Sequence, residues 1–152
     1  MNTEITIRAE RADQPEVVAL LDELDRYLGS LYAPEANHIM DVASLLAPDV
    51  TFLVARAGTE AVGTAACRRG PGYGEIKRMY VSPAYRGQRV AERLLQALEA
   101  TLQGEGYTEA RLETGREQAE AVKLYERCGY TECAAFGGYP DNGLSVFYAK
   151  AL

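Results

Sequence analysis

The residues of this chain best suited to chemistry form a basic, glycine-containing turn that leads into a helix. Arg86, Gly87 and Arg89 follow a strand-like segment and precede the amphipathic run that begins at Val90. The backbone N–H groups of such a turn and the positive end of the helix dipole favour an anion. Arginine side chains also bind phosphate oxygens in a bidentate manner. The pattern therefore predicts a phosphate-binding site, with a solvated helix cap as the alternative interpretation.

Hydrophobic spacing divides the rest of the chain into the strands and helices that must position this turn. The predicted strands are 3–9, 51–57, 61–69, 73–81, 110–114, 131–136 and 145–150. The predicted helices are 13 to about 27 or 31, 41–46, 90–102 and 118–128. Asp13, with Glu16 three residues later, is predicted to cap the first helix. The order of strand, helix, helix, three strands, helix, strand, helix and two strands predicts an α/β fold with helices packed on a mixed, twisted sheet.

Length and composition restrict the class of protein. The 152 residues, 47% of them hydrophobic, predict one domain, residues 1–152, with a full core. No apolar run reaches the roughly 18 residues that a membrane span needs, and the N-terminus lacks a signal-peptide pattern. We therefore expect a cytoplasmic protein without membrane association. The net charge of −6 argues against a nucleic-acid-binding face and fits an amine substrate better. The three cysteines lack metal-ligand spacing, so no metal is expected.

Two segments of the chain resemble the GNAT superfamily of N-acetyltransferases. The first runs from MYVSPAYRGQ through residues 86–91, where the family has Arg or Gln, two residues, Gly, one residue, then Gly or Ala. Arg86 takes the first place and Ala91 the last. The second segment is AVKLYERCGY, residues 121–130, at the family's usual separation from the first. Arg89 departs from the pattern, because it puts a side chain where the family's central glycine approaches the pyrophosphate.

The resemblance implies a fold and a cofactor. The expected fold is GNAT-like, with a central, twisted, mostly antiparallel sheet of about seven strands and about four helices, splayed between the fourth and fifth strands. The implied co-substrate is acetyl-CoA, whose pantetheine arm lies along the fourth strand much as an added strand would. The residues that the resemblance implies for cofactor binding are Met79, Tyr80, Val81, Arg86, Gly87, Gln88, Arg89, Val90, Ala91 and Gln118.

Acetyl transfer to an amine poses two proton-transfer problems. An alkylammonium with a pKa of about 10 must lose a proton before it attacks a thioester, and the leaving thiolate, with a pKa of roughly 8–9, benefits from an acid. Tyr125 is the candidate acid, because it matches the tyrosine of the family's LYE segment; an ordinary core tyrosine is the alternative. Glu75 on the fourth strand is the candidate base, acting directly or through a water. The alternative for Glu75 is an exposed residue at the start of a strand.

The candidate acceptor-binding residues lie in loops and on the fourth strand. Tyr32 and His38 occupy the loop after the first helix, where GNAT-like folds shape the acceptor pocket, and Tyr139 occupies a glycine-rich loop expected to reach the same pocket. Lys77 and Arg78 should point to opposite faces of a regular strand. We therefore expect one of them to bind a carboxylate of the acceptor and the other to lie on the surface.

Taken together, these residues predict an acetyl-CoA-dependent N-acetyltransferase. It would act on a primary amine of a small molecule, amino acid or peptide, by direct attack in a ternary complex. GNAT-like enzymes are often dimeric, so a homodimer is one expectation. The alternative is a non-catalytic acyl-CoA-binding or sensing module, which Arg89 favours and which Tyr125 and Glu75 disfavour. A nucleotide-binding domain is disfavoured, because residues 9–12 lack a glycine-rich turn after the first strand.

Overall fold

A mixed sheet of seven strands runs through the part of the chain that the structure, a computed structural model, describes: residues 4–34, 39–140 and 142–152. The strands are β1 (Ile5–Ala9), β2 (Val50–Ala57), β3 (Glu60–Arg69), β4 (Gly74–Val81), β5 (Glu109–Gly115), β6 (Thr131–Cys133) and β7 (Ser145–Ala151). The helices of the described residues are α1 (Pro15–Leu31), α2 (Val42–Leu45), α3 (Val90–Gly104) and α4 (Ala119–Arg127), with a 3-10 turn at Pro83–Tyr85. The predicted order of elements is confirmed.

The order of strands across the sheet is β1-β2-β3-β4-β5-β7-β6. Every neighbouring pair is antiparallel except β4 and β5, which are parallel and pair only over Gly74–Ile76 and Ala110–Leu112. Beyond Ile76 the two strands separate, so the predicted splay is confirmed. Because their backbone groups are then no longer paired with each other, the gap leaves one edge of β4 open to a ligand.

Alternating side chains of the sheet form a core on each of its faces. On β2, Leu53 and Ala55 pack with α3 and α4, whereas Phe52 and Val54 pack with α1. This period of two is that of a strand buried on both sides. The apolar stripes predicted on the helices face these two cores; on α3 the buried residues are Val90, Leu94, Leu95, Leu98 and Leu102. Each fully buried leucine contributes roughly 1.5–3 kcal/mol to folding relative to an exposed one.

The predicted cap of the first helix is wrong by one residue. Gln14 is the N-cap of α1, and its side chain makes no capping hydrogen bond. The side chain of Asp13 instead accepts two hydrogen bonds from Arg11, at 3.0 and 2.9 Å. Asp13 therefore pairs with Arg11 and does not cap the backbone N–H groups of α1. Pro15 does stand in the first turn, where its missing N–H costs nothing.

β4 contains a bulge at Arg78, so the expectation of a regular strand is wrong. The pairing of β3 with β4 shifts between Thr64 and Ala66, and Arg78 has a φ of 56°. A residue with a side chain rarely adopts this left-handed region, which costs roughly 1–2 kcal/mol. The bulge is held by the Thr64 hydroxyl, which donates to the Arg78 carbonyl at 2.9 Å. The bulge lies just beyond Ile76, the last residue of β4 that pairs with β5.

Candidate active site

A groove of about 650 Å³ opens where β4 and β5 separate and continues along the turn that precedes α3. Nine of the ten residues predicted to bind the cofactor line it: Met79, Tyr80, Val81, Arg86, Gly87, Arg89, Val90, Ala91 and Gln118. Gln88 is the exception. The end of β4 and the start of α3 provide one wall of the groove, and α4 provides the other. Arg127 and Glu120 of α4 complete that second wall.

The turn before α3 has the backbone conformation that favours glycine. Gly87 has a φ of 81° and Arg89, the N-cap of α3, a φ of 63°. No side chain caps the helix, so its first backbone N–H groups are left for solvent or an anion. The Arg89 side chain is 84% exposed and approaches Glu92 at 4.0 Å. A glycine at position 89 would therefore relieve backbone strain, while the arginine present here extends mostly into solvent instead of filling the groove.

Arg86 folds back onto the end of β4. Its Nε donates to the Val81 carbonyl at 3.0 Å, and its guanidinium carbon lies 5.5 Å from the centre of the Tyr80 ring. The Val81 backbone is predicted to contact the cofactor, and its carbonyl already accepts a hydrogen bond from Arg86. Arg86 nevertheless lines the groove. Its role in phosphate binding stays a prediction.

A second, smaller cavity of about 100 Å³ meets this groove at Leu24, Met79 and Gln118, which line both. Its polar lining includes Tyr32, Lys77, Arg78, Glu113, Gln118, Tyr125 and Ser145. Its apolar wall includes Leu28, Ile39, Ile76 and Leu144. The Gln118 side chain is fixed at the junction, because its Oε1 accepts the Gly115 N–H at 2.9 Å. Two cavities that meet at one point can bring two substrates into contact there.

Tyr125 lines the small cavity near this junction. Its side chain is buried, and its ring packs edge-on against Tyr130 with 5.9 Å between centroids. Burial raises the pKa of the Tyr125 phenol well above its ordinary value, so it stays protonated at neutral pH and is suited to donate a proton. Among the described residues, none makes a hydrogen bond with its hydroxyl. Its assignment as the acid stays a prediction.

Glu75 is the centre of a buried polar network behind the cavity. The residue is only 3% exposed. Its carboxylate accepts from Arg68 Nη2 at 3.0 Å and from the Tyr139 hydroxyl at 2.5 Å, and it lies 3.5 Å from Lys77 Nζ. Lys77 Nζ also donates to the Tyr139 hydroxyl at 2.6 Å. Glu75 is absent from the described residues that line the cavity, and its role as the base stays a prediction.

Burial changes the pKa values of Lys77 and Tyr139, two of the residues that contact Glu75. It lowers the pKa of the Lys77 ammonium, although the Glu75 carboxylate acts in the opposite direction. It raises the pKa of the Tyr139 phenol, with the hydrogen bond to Glu75 adding to the effect. Tyr139 therefore stays a donor at neutral pH and holds Glu75 in place. It lies outside the set of described residues that line the small cavity.

Lys77 and Arg78 both line the small cavity, and neither is a surface residue. Their side chains are 9% and 5% exposed. The expectation that one of them lies on the surface is wrong, because the bulge at Arg78 abolishes the alternation of a regular strand. Arg78 Nη1 donates to Asp25 of α1 at 2.6 Å, and its Nε has no hydrogen-bond partner among the described residues.

Tyr32 closes the cavity over the end of β5. Its hydroxyl accepts the Glu117 N–H at 3.0 Å, and burial raises its pKa. Its ring lies so close to Gly115 that a Cβ there would come within 2.7 Å of Cε2 and closer still to Cζ and the hydroxyl oxygen. Gly115 is thus needed for space. His38, the other candidate in this loop, lies outside the described residues.

The sequence reasoning missed Glu113. It lines the small cavity from β5, and the Ser145 hydroxyl of β7 donates to its Oε2 at 2.6 Å. The signal was present, because Ala110, Leu112 and Thr114 alternate with Arg111 and Glu113 along a buried strand. A carboxylate on such a strand, next to the splay, was a candidate on the same grounds as Glu75.

The described residues contain no group of three or more His, Cys, Asp or Glu side chains arranged to hold a metal ion. None of their helices has both the length and the apolar composition that crossing a membrane demands.

Comparison with known proteins places this geometry in a family. The acetyltransferase (GNAT) family matches residues 17–130. An IAA acetyltransferase of Azospirillum brasilense is 43% identical over 97% of this chain and 98% of its own. The crystal structure of a candidate acyl-CoA N-acyltransferase of Klebsiella pneumoniae is 38% identical, covers 99% of both chains and superposes with a TM-score of 0.85.

The fold is shared with more distant proteins as well. The PaiA N-acetyltransferase of Thermoplasma acidophilum, solved in complex with coenzyme A, is 18% identical and has a TM-score of 0.77 over 98% of this chain and 99% of its own. At that identity the likeness concerns the fold alone. The family matches most of this chain, and an acetyltransferase is 43% identical to the chain along nearly all of its length. The chain therefore belongs to the acetyltransferase (GNAT) family and is an N-acetyltransferase.

Proposed function

We propose that this enzyme transfers an acetyl group from acetyl-CoA to a primary amine of a small molecule, amino acid or peptide in a ternary complex. The observation that carries the proposal is the junction of the two cavities at Met79 and Gln118. The large groove accommodates the cofactor and the small cavity the acceptor. Direct attack of one substrate on the other needs such a meeting point, since the reacting atoms must approach to about 3–3.5 Å.

The cofactor is proposed to bind with its pyrophosphate at residues 86–91 and its pantetheine arm along the open edge of β4. The uncapped N-terminus of α3 and the Arg86 guanidinium favour the phosphate charge. Met79 and Val81 lie on the part of β4 that has separated from β5, and their backbone groups are candidates for the pantetheine amides. The PaiA protein, which was solved with coenzyme A, supports this choice of cofactor.

The chemistry assigned to the junction is attack of an amine nitrogen on the thioester carbonyl carbon. A backbone N–H of β4 near Val81 is suited to stabilise the oxyanion, and Tyr125 is proposed to protonate the leaving thiolate. Glu75, the base predicted from the sequence, would have to act through an intervening water, because it is absent from the residues that line the cavity. The relation to an IAA acetyltransferase supports the acetyl group as the group transferred.

The alternative, a non-catalytic acyl-CoA sensor, rested on Arg89 in place of glycine. The exposed Arg89 side chain removes the main reason for that alternative. One domain over residues 1–152, a cytoplasmic location and a homodimer stay predictions; the last can be measured by light scattering of the purified protein.

Calorimetric titration with acetyl-CoA and with CoA, followed by a thiol-release assay over a panel of amines and amino acids, tests the proposal. Binding of acetyl-CoA together with thiol release that depends on an amine supports it. Saturable binding with no turnover across alkylamines, amino acids and short peptides would support the sensor alternative. Absence of binding would refute the cofactor site assigned to residues 86–91.

A further inference from the structure

We propose that Glu113, steadied by Ser145, binds the ammonium group of the acceptor and takes its proton. This inference rests on the proposed function and assigns one step of it to a residue different from Glu75. It follows from where the two carboxylates lie. Glu113 lines the small cavity together with Tyr125, whereas Glu75 is absent from that lining.

A general base must reach the proton that it removes. Glu113 is half-buried on β5 at the splay and lines the cavity that we propose holds the acceptor. Glu75 accepts hydrogen bonds from Arg68 and Tyr139 and is paired with Lys77 as well. These contacts hold the Glu75 carboxylate in a buried network, outside the lining of the cavity. Reach therefore favours Glu113.

Ser145 fixes the orientation of the proposed base. Its hydroxyl is buried and donates to Glu113 Oε2 at 2.6 Å from the neighbouring strand β7. A short bond to a carboxylate from a buried partner holds the side chain in one rotamer. Ser145 also lines the cavity, so the bond lies at the place where the acceptor would dock.

Several charged or titratable groups face Glu113 across the cavity. Lys77 and Arg78 approach from β4 and Tyr32 from the end of α1, and all three line the cavity. The charge of Glu113 also acts on Tyr139 of the β6–β7 loop.

The cavity also indicates the class of acceptor. Its volume is about 100 Å³, and Leu28, Ile39, Ile76 and Leu144 belong to its apolar wall. We infer a small primary amine with a short apolar body, its ammonium on Glu113 and its carbon chain on that wall. Burial of each methylene on the wall is worth about 0.8 kcal/mol, so chain length should affect acceptor affinity until the cavity is full.

The proton balance of the step is complete. The ammonium gives one proton to Glu113, and the neutral amine forms a C–N bond with the thioester carbonyl carbon. When the tetrahedral intermediate collapses, the C–S bond breaks and Tyr125 protonates the thiolate. The nitrogen then loses its second proton, which restores the Tyr125 phenol, and Glu113 releases its proton to solvent. The products are the N-acetylated amine, CoA and one proton.

The test compares Glu113→Gln with Glu75→Gln in the pH dependence of kcat/KM for a short alkylamine. We expect Glu113→Gln to lower kcat/KM at pH 7 by about 10²–10⁴-fold, with unchanged acetyl-CoA affinity. The defect should shrink as the pH approaches the pKa of the amine, because the acceptor then arrives already deprotonated. A purely structural defect would not shrink in this way. Glu132→Gln, on exposed β6, is the matched control and should resemble the wild type.

Three outcomes are decisive. A pH-dependent loss confined to Glu113→Gln supports the inference. The same loss confined to Glu75→Gln would overturn it in favour of Glu75. If Glu113→Gln has a lower melting temperature than the wild type, Ser145→Ala is used instead. An unchanged kcat/KM for Ser145→Ala would also overturn the inference. A wild type that binds acetyl-CoA but acetylates no amine would count against the proposed function itself, which is a separate failure.

Discussion

Replacing Gly115 by alanine should displace Tyr32 from the small cavity that is proposed to bind the acceptor. The added Cβ would overlap the tyrosine ring and its hydroxyl oxygen. Gly115 has no positive φ, so the substitution causes no backbone strain and its effect comes from space alone. The ring must swing away and lose its hydrogen bond from the Glu117 N–H.

The size of the effect follows from those contacts. The lost hydrogen bond costs about 1 kcal/mol. Exposure of roughly 50 Å² of ring surface costs about 1 kcal/mol more. A chain of this length loses about 2–4 °C of melting temperature per kcal/mol, so a fall of about 4–8 °C is expected. Because Tyr32 lines the small cavity and not the groove, KM for the acceptor should rise roughly tenfold, or about 1.4 kcal/mol, while KM for acetyl-CoA stays constant.

Thermal unfolding and two-substrate kinetics measure both effects. Gly29→Ala in α1 is the control, because a Cβ there meets no atom within 4 Å, and it should stabilise the helix by roughly 0.5–1 kcal/mol. In a Tyr32→Ala background, Gly115→Ala should cost almost nothing more, since the clash is gone. A wild-type melting temperature and acceptor KM for Gly115→Ala alone would show that Tyr32 does not lie against β5.

Four further predictions concern single side chains. Tyr125→Phe should lower kcat at neutral pH by about 10²-fold or more with little change in acetyl-CoA affinity; a large affinity loss with normal turnover would refute its role as the acid. Arg86→Ala should weaken CoA binding by about 1–2 kcal/mol in calorimetry, and unchanged affinity would exclude it from the phosphate site. Arg89→Gly should raise the free energy of unfolding by up to about 1 kcal/mol, because it relieves a left-handed backbone; a loss of stability in urea would contradict the strain. Arg56 lowers the pKa of Glu10 from 4.5, so the stability that this carboxylate contributes is present above about pH 4.5 and is lost as the pH falls through its lowered folded value; Glu10→Gln should flatten that part of the stability curve.

The sequence by itself determined the elements and the turn that is proposed to bind the cofactor. Helical spacing in α1 and α3 and alternation in the strands are local patterns, and they require only the geometry of one element. The turn at residues 86–91 is also local, since its N–H groups and arginines belong to one short segment. The local pattern therefore predicts most of the residues that line the groove, and the family resemblance adds Tyr125 of the small cavity.

Only the tertiary structure decided which of two carboxylates lines the small cavity. Glu75 and Glu113 are both acidic residues on buried strands, and no local rule separates them. In the folded chain Glu75 contacts Tyr139 and Lys77 and is absent from the cavity lining, whereas Glu113 belongs to that lining. The contact of Tyr32 with Gly115 likewise joins residues far apart in the chain. Such contacts depend on how strands pair and diverge, and pairing between distant segments is the information that residue spacing along one chain does not carry.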